Sequence, residues 1–143
     1  MIQVTKIFRF EMAHAINGYE GACKNIHGHT YVLHVTITPN NDEDSFIPSP
    51  GFVFDFKELK RIVKESVVKK LDHSLVLSTD YLAVNPAFSV AENIQIWEVE
   101  PSAENILIHI KKWIEVILPS EVLLENLKLY ETADSYAEWR RAK

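Results

Sequence analysis

Apolar and polar side chains alternate from the first residues of the chain. Ile2, Val4, Phe8, Phe10 and Met12 fall on one side, and Gln3, Thr5, Arg9 and Glu11 on the other. A period of two is that of a β-strand with one buried face, and it predicts a strand over 2–15. His14 continues the apolar side. After a loop over 17–26 rich in Gly, Asn and small residues, a second strand is predicted over 27–38. Tyr31, Leu33, Val35 and Ile37 face inward there, and Thr30, Thr36 and Thr38 outward. His27 and His29 extend the inward face, while His34 falls on the other side. Pairing the two strands as a hairpin brings His14, His27 and His29 together.

The rest of the chain changes period. Residues 39–51 hold three prolines and an acidic patch and read as an exposed loop. Asp55, with Glu58 three residues later, is a capping-box-like start. Phe56, Leu59, Ile62, Val63, Ser66 and Val67 then recur at helical spacing to about Lys70. The stretch 78–100 lacks a clear period and reads as an insertion over the surface, with room for a short strand or turn. Ser102 caps a second helix whose expected core stripe is Ile106, Ile110, Trp113 and Ile117, and Pro119 ends it. Leu127 and Leu129 alternate into Glu131 on a third strand, and 136–141 forms a fourth. The order ββααββ predicts an α+β domain over 1–143, a four-stranded antiparallel sheet with both helices on one face.

Composition narrows the function classes. Fifteen basic and 20 acidic side chains give a net charge of −5, which disfavours nucleic-acid binding through phosphates. No apolar run approaches the ~20 residues that span a bilayer, and the N-terminus does not read as a signal peptide. A cytoplasmic protein without membrane or nucleic-acid partners is expected. One cysteine excludes an internal disulfide framework and any multi-thiolate metal site.

Two histidines two apart on a strand point to the same side, and a third from the neighbouring strand completes three nitrogen ligands. Three protein ligands leave one tetrahedral position open, the arrangement of a catalytic zinc; imidazole also suits copper, nickel and iron. An isolated His-x-His usually holds no metal, but here both histidines continue a buried face beside a third. His34 and His109 lack that context and are assigned to packing or solvent. Cys23 stands four residues before His27. A lone cysteine is commonly a small buried hydrophobe, yet a nearby divalent cation favours the thiolate. If it ligated the metal it would close the site, so it is placed near the metal rather than on it. Asp72-His73 follows the first helix, where the carboxylate can orient the imidazole as an acid or base, or His73 can simply face the helix C-terminus. Glu131 prolongs the Leu127-Leu129 face, either as a solvated strand end or as a partner for a ligand with two N–H donors. Glu104 and Asn105 first serve the N-terminus of the second helix.

These pieces together resemble the 6-pyruvoyl-tetrahydropterin synthase superfamily, and within it the 6-carboxy-tetrahydropterin synthases of queuosine biosynthesis. The matching segments are Phe10-Glu11-Met12-Ala13-His14, Cys23-Lys24-Asn25-Ile26-His27-Gly28-His29, Asp55-Phe56 with Leu59-Lys60, Leu71-Asp72-His73, Pro101-Ser102-Ala103-Glu104-Asn105 and Tyr130-Glu131-Thr132. The three residues between Cys23 and His27 are the spacing of the queuosine branch; the animal pyruvoyl synthases carry a longer gap. The resemblance implies the tunnelling fold, a trimer-based homo-oligomer reaching a hexamer, and active sites between subunits. It implies one zinc per subunit on His14, His27 and His29, Cys23 as the proton-abstracting group, and His73 with Asp72 as the partner acid/base. Glu131 would anchor the pterin and join the catalytic relay, with Glu104 a further substrate-side candidate. The implied reaction converts 7,8-dihydroneopterin triphosphate to 6-carboxy-tetrahydropterin, acetaldehyde and triphosphate.

Two departures stand out. The stretch 79–100 is longer than the family usually has, and Ser102 stands where threonine is common. Competing readings are 6-pyruvoyl product formation on the same substrate, an aldolase-like cleavage in which glutamate typically replaces the cysteine, a three-histidine zinc hydratase or hydrolase that needs no thiol, and a metal- or pterin-binding module without turnover. Lys24 is the one suggested triphosphate contact.

Overall fold

The computed structural model describes residues 1–41 and 44–143; Asp42 and Glu43 of the expected acidic patch lie outside the described residues. Strand β1 (Val4–His14) pairs antiparallel with β2 (His27–Pro39), with Val4 opposite Ile37 and His14 opposite His27. Both strands bury alternate residues: Phe8, Phe10, Met12 and His14 on β1, and Tyr31, Leu33 and Val35 on β2. A helix follows, as α1 (Phe56–Val63), a π-helical stretch (Lys64–Val68) and α2 (Lys69–Leu71). Asp55 caps it by accepting from the Lys57 N–H. Glu58, expected to reach back to the cap, instead accepts from Arg61. Within the helix the Ser66 hydroxyl donates to the Ile62 carbonyl at 2.7 Å, a back-bond of the kind that bends helices.

The expected four-stranded sheet gains two strands. In chain order come β3 (Ser74–Ser78), α3 (Thr79–Val84), β4 (Ile94–Trp97), α4 (Ala103–Ile117), β5 (Val122–Thr132) and β6 (Ser135–Arg140). The sheet order is β4-β3-β1-β2-β5-β6. The four predicted strands form the antiparallel part, and β3 and β4 add in parallel beyond β1. The α+β class holds, but the stretch 78–100 is not merely a surface insertion. Every residue of β3 is buried. Val76 joins the helix-side core while Leu75 and Leu77 pack with Ala15 and Tyr81 on the other face. A strand covered on both faces has no polar side to alternate with, so its period disappears.

The main core lies between the sheet and the two long helical segments, where Leu59, Val63, Val67 and Leu71 meet Ile106, Leu107, Ile110 and Ile114. The stripe of α4 is rotated from the expected one. Leu107 and Ile114 are buried, Trp113 is partly buried, and Ile117 is exposed. Ser102 caps α4 as expected, accepting from the Asn105 N–H at 3.2 Å. This cap fixes the segment before α4, whose Pro101 carbonyl reaches the end of β1.

Candidate metal centre

His14 closes β1 and His27 opens β2 directly opposite it, so the hairpin register alone makes them neighbours. His29 is two residues along on the same face, and the ligand atoms of the three imidazoles lie within 4.8 Å of one another. His14 is 1% exposed; His27 and His29 are half-buried.

The hydrogen bonds of two rings decide what their other nitrogens can do. His14 Nδ1–H donates to the Pro101 carbonyl at 2.6 Å, and His27 Nδ1–H donates to the Asn25 carbonyl at 2.7 Å. A neutral imidazole that donates through Nδ1 presents a lone pair at Nε2. The two Nε2 atoms stand 3.1 Å apart. Two lone pairs at that distance repel unless a cation lies between them. His29 Nε2 is buried without a hydrogen-bond partner. Burial pushes the His14 pKa below that of a free imidazole, against the opposing pull of Pro101 and Glu131, and burial lowers His29 as well. Neutral rings held by backbone carbonyls are the form in which histidine binds metals. The residues present therefore fit a metal ion.

Glu131, near the end of β5, reaches the same place: its Oε1 is 3.3 Å from His14 Nε2 and 3.5 Å from His29 Nε2. A group that the sequence reading took for core also stands here. The Tyr31 hydroxyl, fully buried, lies 3.5 Å from both His14 ring nitrogens and from Glu131 Oε1. Burial, then the Glu131 charge, raises its pKa beyond the ordinary phenol range. Its signal in the sequence was its place, the next inward position after His29 on β2. The Pro101 carbonyl has no side-chain signature and was not anticipated.

Cys23 sits in a short 3-10 turn (Ala22–Lys24) and is exposed. Its carbonyl accepts from the Ile16 N–H at 2.8 Å, tying the turn to the chain just past His14.

Asp72 and His73 form the turn after α2, as expected, tied to the backbone of Glu11 on β1. His73 Nδ1 donates to Asp72 Oδ2 at 3.0 Å, while Asp72 Oδ1 accepts from the Glu11 N–H at 2.9 Å. His73 adopts a left-handed backbone with φ of 61°, a conformation disfavoured by a Cβ, and its N–H donates to the Glu11 carbonyl. Its side chain is 80% exposed, beside an open recess that is also lined by Glu11, Gly28, His29, Thr30 and Asn93. Gly28 leaves that recess clear, although a Cβ there would meet only the Met12 carbonyl at an ordinary 3.6 Å. No hydrogen bond or ion pair among the described residues joins His73 to Cys23 or to the three histidines. Glu104 is exposed in the first turn of α4 and reaches none of these groups through such a bond. His34 packs on Tyr130 and His109 on Trp97, at ring separations of 5.3 Å and 4.2 Å.

The Glu11 N–H, and to a smaller extent His73, holds the Asp72 carboxyl below the usual range. A depressed folded-state pKa stabilises the fold above the unfolded value of about 3.9 and is lost as pH falls through the lower folded value. Asp72→Asn should therefore bring the urea midpoints at pH 7 and pH 3 closer together. The narrowing should be small, because the Asp72 side chain is 37% exposed; an unchanged gap would contradict the assignment.

Comparison with known proteins shows the family and the fold. A family model described as 6-pyruvoyl tetrahydropterin synthase matches residues 3–142. A 6-carboxy-5,6,7,8-tetrahydropterin synthase of Rickettsia felis is 32% identical over 142 residues, covering 96% of this chain and 99% of that protein. The protein of the same name in Aquifex aeolicus is 28% identical over 163 residues, covering 96% and 97%. Among solved structures, 6-pyruvoyl tetrahydropterin synthase of Caenorhabditis elegans superposes with a TM-score of 0.70 at 19% identity, over 99% of this chain and 96% of that one. The last is a likeness of fold, and it bears out the fold expected from the resemblance.

Proposed function

The chain belongs to the 6-pyruvoyl tetrahydropterin synthase family, and on that premise we propose that it is a zinc-dependent lyase of queuosine (7-deazaguanine) biosynthesis. It converts 7,8-dihydroneopterin triphosphate and one water to 6-carboxy-5,6,7,8-tetrahydropterin, acetaldehyde and triphosphate, acting in the cytoplasm as one domain over 1–143. The observation that carries the reading is the pair of Nδ1–H bonds that turn the Nε2 lone pairs of His14 and His27 toward one point. Three imidazoles suit zinc, one ion per subunit. The names of the relatives support the carboxylated product over the pyruvoyl one, and Cys23 supports it over an aldolase-like cleavage that uses glutamate. No helix among the described residues is long and apolar enough to cross a membrane.

When bound, the metal supplies Lewis-acid polarisation of the hydroxyls on the substrate side chain. Cys23 takes the proton from the side-chain carbon next to the ring. Asp72 holds His73 by Nδ1, so that Nε2 is free to move a proton on the other face of the substrate. No hydrogen bond among the described residues joins Cys23 to His73 within one chain, and we place them together across a subunit boundary in a trimer-based homo-oligomer, extending to a hexamer. Glu131, with Glu104 on the substrate side, anchors the N–H donors of the pterin ring so that these groups meet the reacting carbons. A cleft of about 480 Å³ lined by Asn17, Tyr19, Glu20, Lys24, Asn25 and Asn85 flanks the Cys23 turn, and Lys24 is its one basic side chain that can meet the triphosphate tail.

Product analysis tests the reading. Protein incubated with 7,8-dihydroneopterin triphosphate should release acetaldehyde and the 6-carboxy pterin in equal amounts, seen by mass spectrometry. A 6-pyruvoyl pterin with no acetaldehyde would replace the lyase assignment with its family alternative.

A further inference from the structure

We infer that Glu131 holds the metal's remaining coordination position while no substrate is bound, and that the substrate displaces it. The inference rests on the three-histidine metal reading and gives that site a protected resting state. Glu131 Oε1 lies 3.3 Å from His14 Nε2 and 3.5 Å from His29 Nε2. Donors that share a tetrahedral cation at about 2.0–2.1 Å stand about 3.3–3.4 Å from one another; the contacts to His14 and His29 are close to that spacing, while Glu131 has no such contact with His27 among the described residues and must close on it when the metal binds.

A hydrogen bond does not account for the contact at His14. Its Nδ1–H is already given to the Pro101 carbonyl, and neither this ring nor His29, whose Nε2 is buried without a hydrogen-bond partner, makes a hydrogen bond to Glu131. The surroundings of the carboxylate point the same way. Its side chain is 29% exposed, and no Lys or Arg pairs with it among the described residues; its ion-pair contacts there are to His14 and His29. A carboxylate drawn that far out of water calls for a cation. Tyr31, buried and stacked on Phe10 at 5.3 Å, donates its hydroxyl to the same oxygen at 3.5 Å and aims it at the site.

Two consequences follow from a carboxylate in that position. The resting metal is shielded from water and small anions. When the substrate side chain takes the position, Glu131 is released beside the pterin and becomes free to accept from its ring N–H groups. One contact thereby links ligand exchange at the metal to anchoring of the ring.

The test uses the full chain loaded with cobalt(II) alone, without pterin, and reads visible absorption during titration with thiocyanate. In the wild type the tetrahedral cobalt bands should barely change, because the fourth position is taken. In Glu131→Gln, thiocyanate should enter at least tenfold more readily, and cobalt affinity measured by chelator competition should fall about ten- to a hundredfold. Glu131→Ala should respond in the same direction, and far-ultraviolet circular dichroism of both variants reports their folding. Equal thiocyanate response and equal cobalt affinity in a folded variant and the wild type would overturn the Glu131 assignment and leave the three histidines standing. No cobalt uptake by any of these proteins would overturn both.

Discussion

Replacing Cys23 by alanine is expected to lower turnover of 7,8-dihydroneopterin triphosphate by about a hundred- to ten-thousandfold, the range that one positioned acid/base group contributes. The loss should fall on kcat with little change in KM, because the thiol moves a proton in the reaction and does not hold the ring. Metal content and thermal stability should stay close to wild type. Cys23 is exposed in a short turn whose tie to Ile16 runs through the backbone carbonyl, and that bond survives the substitution. A Cys23→Ala protein that releases acetaldehyde at the wild-type rate would remove the thiol from the proton transfer. With Cys23 and His73 meeting across the proposed subunit boundary, co-refolding Cys23→Ala with His73→Ala chains should restore activity that neither variant has alone. Mixed assemblies as inactive as their parents would place the two groups in the same subunit.

The second large effect is expected at His14. His14→Ala should leave the purified protein without bound metal and lower its unfolding free energy by roughly 2–5 kcal/mol, from the cavity and from the Pro101 carbonyl left without a donor. His14 is 1% exposed, and its Nδ1–H joins the end of β1 to the segment before α4. His27→Ala makes the informative comparison. His27 is half-buried and its Nδ1 bond reaches only to Asn25, two residues back, so metal should be lost with a smaller stability change. Urea unfolding of both metal-free variants, together with elemental analysis, checks the ordering. Metal retained by His14→Ala at wild-type level would remove this histidine from the ligand set.

Which parts were readable in the sequence follows from which faces are wet. β1 and β2 each bury one side, so their alternation was plain, and the position of His14, His27 and His29 on one face came with it. β3 was not readable, because Leu75 and Leu77 pack on one face and Val76 on the other. β4, with Ile96 exposed and Trp97 buried, is too short to set a period and is held by pairing with β3. The π-helical stretch left the spacing of apolar residues nearly unchanged, and only the Ser66 back-bond marks it. At the site, Glu131 could be followed along β5 because Leu127 and Leu129 pointed the way. Tyr31 was hidden among core residues of the same face. The tie of Asp72-His73 to the backbone of Glu11 depends on how α2 enters β3 beside β1, a tertiary relation that the Asp72-His73 motif does not carry.

X-ray absorption at the metal edge of the protein as purified, before any pterin is added, tests the metal centre most directly. The account predicts one zinc per chain, with light-atom ligands at about 2.0–2.1 Å and the outer-shell scattering of three imidazoles. A first shell containing sulfur would place Cys23 on the metal instead of beside it, and protein carrying no transition metal would contradict the centre altogether.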